Sequence, residues 1–276
     1  MEALIARKMW RTLEPYHGLI YFSPEANAAY EALGVRGRDG YFASRAAPMG
    51  AVPAEVVIAT FFNFNPAPVH HALPAAWEAT TPAALLEARL GAADESLRRA
   101  TGQALDGADV ARAAELARTA AEACSPEGRP LFAGHASLPW PEPPHLALWH
   151  AISLLREFRG DGHLACLVGA GLDGVEALVV HAASGEVPRA ALQTSRAWDD
   201  AAWEAAVARL ADRGLVSTNG AFTDSGAALR QEVEDGTDRL ALAPWTHLGE
   251  QGCDELRSLV RPLSKAIVAS GTFGLG

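Results

Sequence analysis

The stretch Asp199-Asp200-Ala201-Ala202-Trp203-Glu204-Ala205-Ala206-Val207-Ala208-Arg209-Leu210-Ala211-Asp212-Arg213-Gly214-Leu215-Val216-Ser217-Thr218-Asn219-Gly220-Ala221-Phe222-Thr223-Asp224-Ser225-Gly226 decides the fold. Asp199 and Asp200 supply a cap for a helix whose apolar face is Trp203, Val207 and Leu210, and Gly214 ends it before the apolar pair Leu215-Val216. Ser217-Thr218-Asn219-Gly220 has the chemistry of a hairpin turn, and Ala221-Phe222-Thr223 returns from it. A two-stranded β-wing is therefore expected. Asp224-Ser225-Gly226 then opens a helix carrying Leu229, Val233 and Leu240.

This order, with Arg213-Gly214-Leu215-Val216 before the hairpin and Thr223 to Arg230 after it, resembles MarR-type DNA-binding domains. The resemblance implies a winged helix in the second half of the chain. Outward from that stretch, 276 residues are enough for about two domains with a sizeable core. Many alanines and few β-branched runs make the chain mainly α-helical.

In the first half, Ser23-Pro24-Glu25 starts one helix and Thr81-Pro82 another. Val52 to Phe62 is an apolar helix broken at Asn63-Phe64-Asn65-Pro66, because proline disfavours helix at the residue before it. An ordered series of matches then links the halves at an offset of about 120 residues. Leu155 to His163 mirrors Leu33 to Tyr41, Val175 to Val179 answers Pro53 to Val57, and Ala208-Arg209-Leu210 answers Ala88-Arg89-Leu90. Trp198 answers Trp77, and Pro244-Trp245 answers Pro139-Trp140.

The expected architecture is a duplicated pair of winged-helix domains in a pseudo-dimeric, MarR-like arrangement. Residues 1–140 would form a degenerate winged-helix-like domain, and residues 141–276 a winged helix with pairing helices at 145–158 and 246–269. The Pro-rich connector from Leu138 to Pro144 divides them.

The charge pattern argues against DNA as a partner. The formal net charge is −10, from 33 acidic and 23 basic residues, and no local run of Lys or Arg offsets it. The helix in the groove-reading position presents Asp199, Asp200 and Glu204, where phosphates and base edges require donors. Cys124, Cys166 and Cys253 are odd in number and far apart, as expected of reduced thiols in a cytoplasmic protein. Met1 to Lys8 is too charged for a signal sequence, and no apolar run reaches the roughly 20 residues of a membrane span, so no membrane partner is expected.

Over nearly its whole length the chain also resembles an actinobacterial helix-turn-helix family of largely unassigned function. The likeness is carried by Pro15-Tyr16-His17, Tyr21-Phe22, Gly40-Tyr41-Phe42-Ala43, Arg45-Ala46-Ala47-Pro48, Phe61-Phe62-Asn63-Phe64 and Arg159-Gly160-Asp161-Gly162-His163. It implies a tandem winged-helix fold and assigns no catalytic residue.

The candidate site follows from unusual local chemistry. Asn63 and Asn65, interleaved with Phe61 and Phe64, offer amides beside aromatic walls, or else serve as a helix cap and turn. His17 lies in an aromatic, proline-bent segment with Tyr21, and is a candidate acid-base group together with His163. Arg45, Arg89, Arg159 and Asp161 complete the expected ligand contacts. Asp161 and His163 lack a third metal ligand at local spacing, so no metal site is assigned; the alternative roles are Asp161 as a helix cap and Arg159 paired with Glu157 or Glu176.

The expected function is binding, or cofactor-free conversion, of a largely apolar small molecule at the seam between the halves, by a monomer or weak homodimer. The cofactor is unknown. Two other readings stay open at this level: a MarR-like transcriptional regulator, and a metal- or haem-dependent enzyme.

Overall fold

Helix starts lie where short polar side chains can take up free backbone N–H groups. Ser23 accepts from Ala26, Thr81 from Ala84, Asp199 from Ala202 and Thr223 from Gly226. Asp173 and Glu176 form a reciprocal capping box. The computed structural model describes residues 1–274. It contains α1 (Leu4–Gly18), α2 (Pro24–Ala32), α3 (Gly37–Ala46), α4 (Ala54–Phe61), α5 (Pro66–Ala79), α6 (Pro82–Thr101) and α7 (Ala108–Ala121). These are followed by α8 (Pro130–Ala136), α9 (Pro144–Gly169), α10 (Gly174–Ala183), α11 (Arg189–Arg196), α12 (Asp200–Asp212), α13 (Asp224–Leu240) and α14 (Ala243–Ala269).

The expected β-wing does not form. Among the described residues there is no strand, and residues 215–223 contribute one isolated antiparallel bridge, Val216 with Phe222. The reason is length. The turn is closed by Ser217 N–H donating to the Ala221 carbonyl at 2.8 Å, and Asn219 Oδ1 fills its interior by accepting from Ser217 Oγ and the Ala221 N–H. Thr223 is already the cap of α13. Too few residues remain on either side for a ladder.

The duplicated, pseudo-dimeric arrangement is also overturned, because the two apolar cores are unlike. The larger is built from α1 to α8, the first part of α9, and α14, with Tyr16, Phe42, Leu148, Ile152 and Val260 fully or almost fully buried. The smaller is built from the end of α9 and from α10 to α13, around Leu178, Trp203, Leu210 and Val216. The expected pairing helices do not meet along a twofold seam. The first part of α9 and α14 both belong with the larger core, and α7 packs against each of these helices. The apolar clusters thus part within α9 and again near the end of α13, whereas the connector at 138–144 lies just before α9.

Helix α9 runs straight through Arg159-Gly160-Asp161-Gly162-His163. Gly162 is there for space: a Cβ would sit 2.8 Å from Arg129 Nη1 and 3.3 Å from the Leu240 Cβ. Arg159 pairs with Asp238 of α13 at 2.8 Å rather than with Glu157 or Glu176, and Asp238 also holds Arg7 of α1 at 2.8 Å. This buried triad ties α1, α9 and α13 together.

No single helix among the described residues is long and apolar enough to cross a membrane; α9 and α10 would qualify only as a pair, and they meet at a bend of 97°.

Candidate functional site

The two cores meet at Phe61-Phe62-Asn63-Phe64-Asn65. Helix α4 ends at Phe61, and Phe62 takes φ 40°, a strained value for a residue with a side chain. That turn splits the aromatic run. Phe61 and Phe64 pack in the larger core with Tyr41 and Phe42, while Phe62 packs against the smaller one. The asparagines then stitch the seam. Asn65 caps α5 through the Ala67 N–H, its Nδ2 donates to the Ala197 carbonyl at 3.0 Å, and its own N–H donates to the Arg196 carbonyl at 2.9 Å. Trp198 Nε1 donates to the Asn63 carbonyl at 2.9 Å, and Arg196 Nε to the Asn63 side-chain oxygen at 3.3 Å.

Beside this seam a cleft of about 330 Å3 opens between the cores. Its aromatic walls are Trp10, Tyr41, Phe61 and Phe64, and it is lined by the guanidiniums of Arg45, Arg156, Arg159, Arg196 and Arg230. The charges are unevenly matched along it. Arg159 and Arg230 face Asp238 and Glu234 at 2.8 and 2.7 Å. At the other end Arg156 pairs with Glu157 at 2.8 Å and with Glu14 at 3.5 Å, Arg45 reaches Glu157 at 3.5 Å, and Arg196 meets the Asn63 amide but no carboxylate among the described residues. The Glu157 carboxylate is fully desolvated, yet Arg156 and Arg45 hold it well below the usual range.

His163 lines the same cleft. Thr237 Oγ1 spends its proton on the Val233 carbonyl, so His163 Nδ1 must donate to Thr237 at 2.9 Å. That fixes the tautomer and leaves the Nε2 lone pair without a protein partner among the described residues. Burial, with Arg230 and Arg159 nearby, lowers its pKa to about 4, so the ring is a neutral acceptor at pH 7. Asp161 accepts the Phe132 N–H at 2.9 Å and so caps α8, not the helix after it; burial raises its pKa to about 6. Among the described residues no three His, Cys, Asp or Glu side chains are grouped to hold a metal ion.

His17 lies elsewhere, fully buried in the larger core and stacked on Trp149. Ser153 Oγ donates to the Trp149 carbonyl, so it accepts from His17 Nδ1 at 2.8 Å. Nε2 accepts from the Tyr21 hydroxyl at 2.9 Å, which in turn accepts from Arg89 at 3.2 Å. Burial first, and then Arg156, lowers the His17 pKa well below the ordinary value. With both ring nitrogens occupied, His17 has no proton to exchange with a ligand. Arg89 is itself only 2 % exposed, with Nε and Nη1 unpartnered.

Of the residues singled out in the sequence, Arg45, Phe61, Asn63, Arg159, Asp161 and His163 share the cleft. His17, Tyr21, Arg89 and Asn65 do not line it. Arg156, Arg196, Arg230 and Glu234 were not anticipated. Arg156 stands three and seven residues before Arg159 and His163, one helical face that is legible once the segment is read as helix rather than as a break. Arg196 carries no local signal, since its partner is 133 residues away.

A family model described as a helix-turn-helix family matches residues 6–274. The chain belongs to this helix-turn-helix family. No curated protein and no solved structure matches it. In this helix-turn-helix protein three cations of α11 and α12, other than the cleft-lining Arg196, are already engaged. Arg189 clasps Glu204 at 2.6 Å and Asp200 at 2.9 Å, Arg209 holds Asp173 and Glu176, and Arg213 binds the carbonyls of Ala170 and Gly171. No lysine lies between α10 and α13; the two in the chain are Lys8 and Lys265.

Proposed function

We propose that this helix-turn-helix protein binds a small molecule in the cleft between its two cores, and that its α11–α12 face does not engage DNA. The observation that carries this reading is the cleft, whose volume falls within the range of small-molecule sites. Aromatic walls and a few convergent polar groups fit a ligand that is largely apolar with a polar handle. Both walls come from one polypeptide, so the reading needs no second chain and is compatible with a monomer. Three unpaired cysteines suit a reducing compartment such as the cytoplasm. If the cleft also converts its ligand, His163 is the acid-base candidate, because its Nε2 lone pair has no protein partner among the described residues, whereas His17 is closed off.

The arrest of DNA binding follows from charge. Arg189, Arg209 and Arg213 would have to break their present pairs before meeting phosphate, and Asp200 and Glu204 would repel it. Native mass spectrometry of the purified protein, followed by denaturing extraction, tests the cleft. A compound released from the wild type and absent from Gly160→Leu, a substitution that fills the cleft from α9, is the expected result. Retention of the compound by that variant places the site elsewhere. Mobility shifts across salt concentrations test the second half: tight, salt-steep binding to a defined duplex overturns it.

A further inference from the structure

We infer that the ligand of this cleft is an organic anion with a flat aromatic body, its anionic group received by Arg196 together with Arg45. The inference rests on the cleft being a binding site and goes beyond it by naming the ligand's chemistry. It starts from an imbalance. Arg159 and Arg230, toward one end, each have a carboxylate within 2.8 Å. Arg196 has none within 4.0 Å among the described residues, and its Nε meets only the neutral Asn63 oxygen. Its neighbour Arg45 donates through Nη1 to the Tyr41 hydroxyl at 3.0 Å, its Nη2 stands 3.5 Å from a Glu157 that is bonded more closely to Arg156, and its buried Nε has no partner among the described residues.

Burial, followed by the nearby cations Arg45, Arg156 and Arg38, pushes the Arg196 guanidinium below its ordinary pKa, although Tyr41 partly counters them. A guanidinium stays charged at neutral pH under such a shift, so Arg196 brings to the cleft a positive charge that no carboxylate among the described residues meets. A carboxylate is the natural complement, because the planar fork matches it with two parallel bonds.

The aromatic half of the assignment comes from the rings that hold these arginines. Arg45 lies over the Phe61 ring at 4.4 Å and Arg196 over Phe64 at 4.6 Å. Tyr41 and Phe64 are 5.7 Å apart, centroid to centroid, and both face the cleft. The guanidiniums are thereby held against aromatic rings before a ligand arrives, and those rings line the cleft beside them. Buried ion pairs gain little unless the geometry is set in advance, and here it is.

The test uses two probes of one shape, 2-naphthoate and 2-naphthamide, followed by calorimetry. The expected result is that naphthoate binds at least about tenfold more tightly than the amide. Arg196→Gln removes that preference. Asn63→Asp, which supplies the missing carboxylate from within, also removes it while leaving the circular dichroism of the protein unchanged. Equal binding of both probes, abolished by Gly160→Leu, sinks the anion assignment and leaves the cleft standing. Naphthoate binding that is untouched by Arg196→Gln and by Asn63→Asp overturns the assignment as well. The cleft itself fails only if the co-purification experiment places the ligand elsewhere, so the two ideas are judged separately.

Discussion

Asp161, midway along α9, accepts the main-chain N–H of Phe132 at 2.9 Å and so caps a helix 29 residues earlier in the chain. Burial raises its pKa to about 6 from an ordinary 3.8. An acid with a raised folded-state pKa favours the native state fully below its unfolded pKa, and that contribution is lost as pH rises through 6. Asp161→Asn keeps an acceptor for Phe132 without the buried charge. It is expected to stabilise the protein by about 2 kcal/mol at pH 8 and to leave it unchanged at pH 4, as read from urea denaturation at the two values.

Acid should unfold the protein through its histidines. Burial lowers His17 well below 6.5, His135 to about 3, and His150 and His163 to about 4. The unfolded chain takes up these protons first, so stability is complete above about pH 6.5 and falls toward pH 4, by up to about 1.4 kcal/mol per pH unit for each ring. Glu157, held low by Arg156, adds to the loss below its own unfolded pKa, and Asp161 works in the opposite direction. His150 has a buried, unpartnered Nε2 against the edge of Trp140. His150→Phe should lower the pH slope of the urea midpoint by about a quarter. A midpoint that is flat from pH 7 to 5 contradicts the buried, neutral rings.

The seam should be separable from the cores it joins. Asn65→Ala removes the α5 cap and the bond to Ala197, at a cost of about 2 kcal/mol. Hydrogen exchange should quicken in α10 to α12, with α1 and α14 unaffected. Uniform quickening would mean that the cores do not open independently.

Gly226, in the first turn of α13, lies directly against Leu215, just before the short turn that stands in place of a wing. A Cβ there would fall on the Leu215 carbonyl oxygen, which is backbone and cannot rotate away. Gly226→Ala should destabilise the protein by about 3 kcal/mol, while Ser225→Ala, exposed next to it, should stay within about 0.5 kcal/mol. Thermal melts of the two variants decide this.

Local chemistry was legible and distant pairing was not. Ser23, Thr81, Asp199 and Thr223 could be read as caps because a cap needs only the next three residues. The hairpin turn at 217–221 was legible for the same reason, but the absence of strands beside it depends on how soon Thr223 must start α13. The expected pairing helix stops at 158, yet α9 continues through Gly160 and Gly162; at 162 Arg129 and Leu240 leave no room for a Cβ, a constraint set by residues far away in the chain. Asn63 was visible as unusual, yet its oxygen is claimed by Arg196, which no spacing rule could supply. The matches between halves at one offset did not make the halves alike in space, since α1 and α14 complete one core and not the other.

One guanidinium has a topological role. Arg129 donates through Nη1 to the Phe158 carbonyl and through Nη2 to the Leu240 carbonyl, so the points where the chain leaves the larger core and comes back to it are clasped side by side. The smaller core is in effect a guest threaded into its host through a single gate. A chain in which residues 164–233 are replaced by a short glycine-rich bridge should still fold, because Arg129 holds the two ends of the larger core together without any residue of the guest.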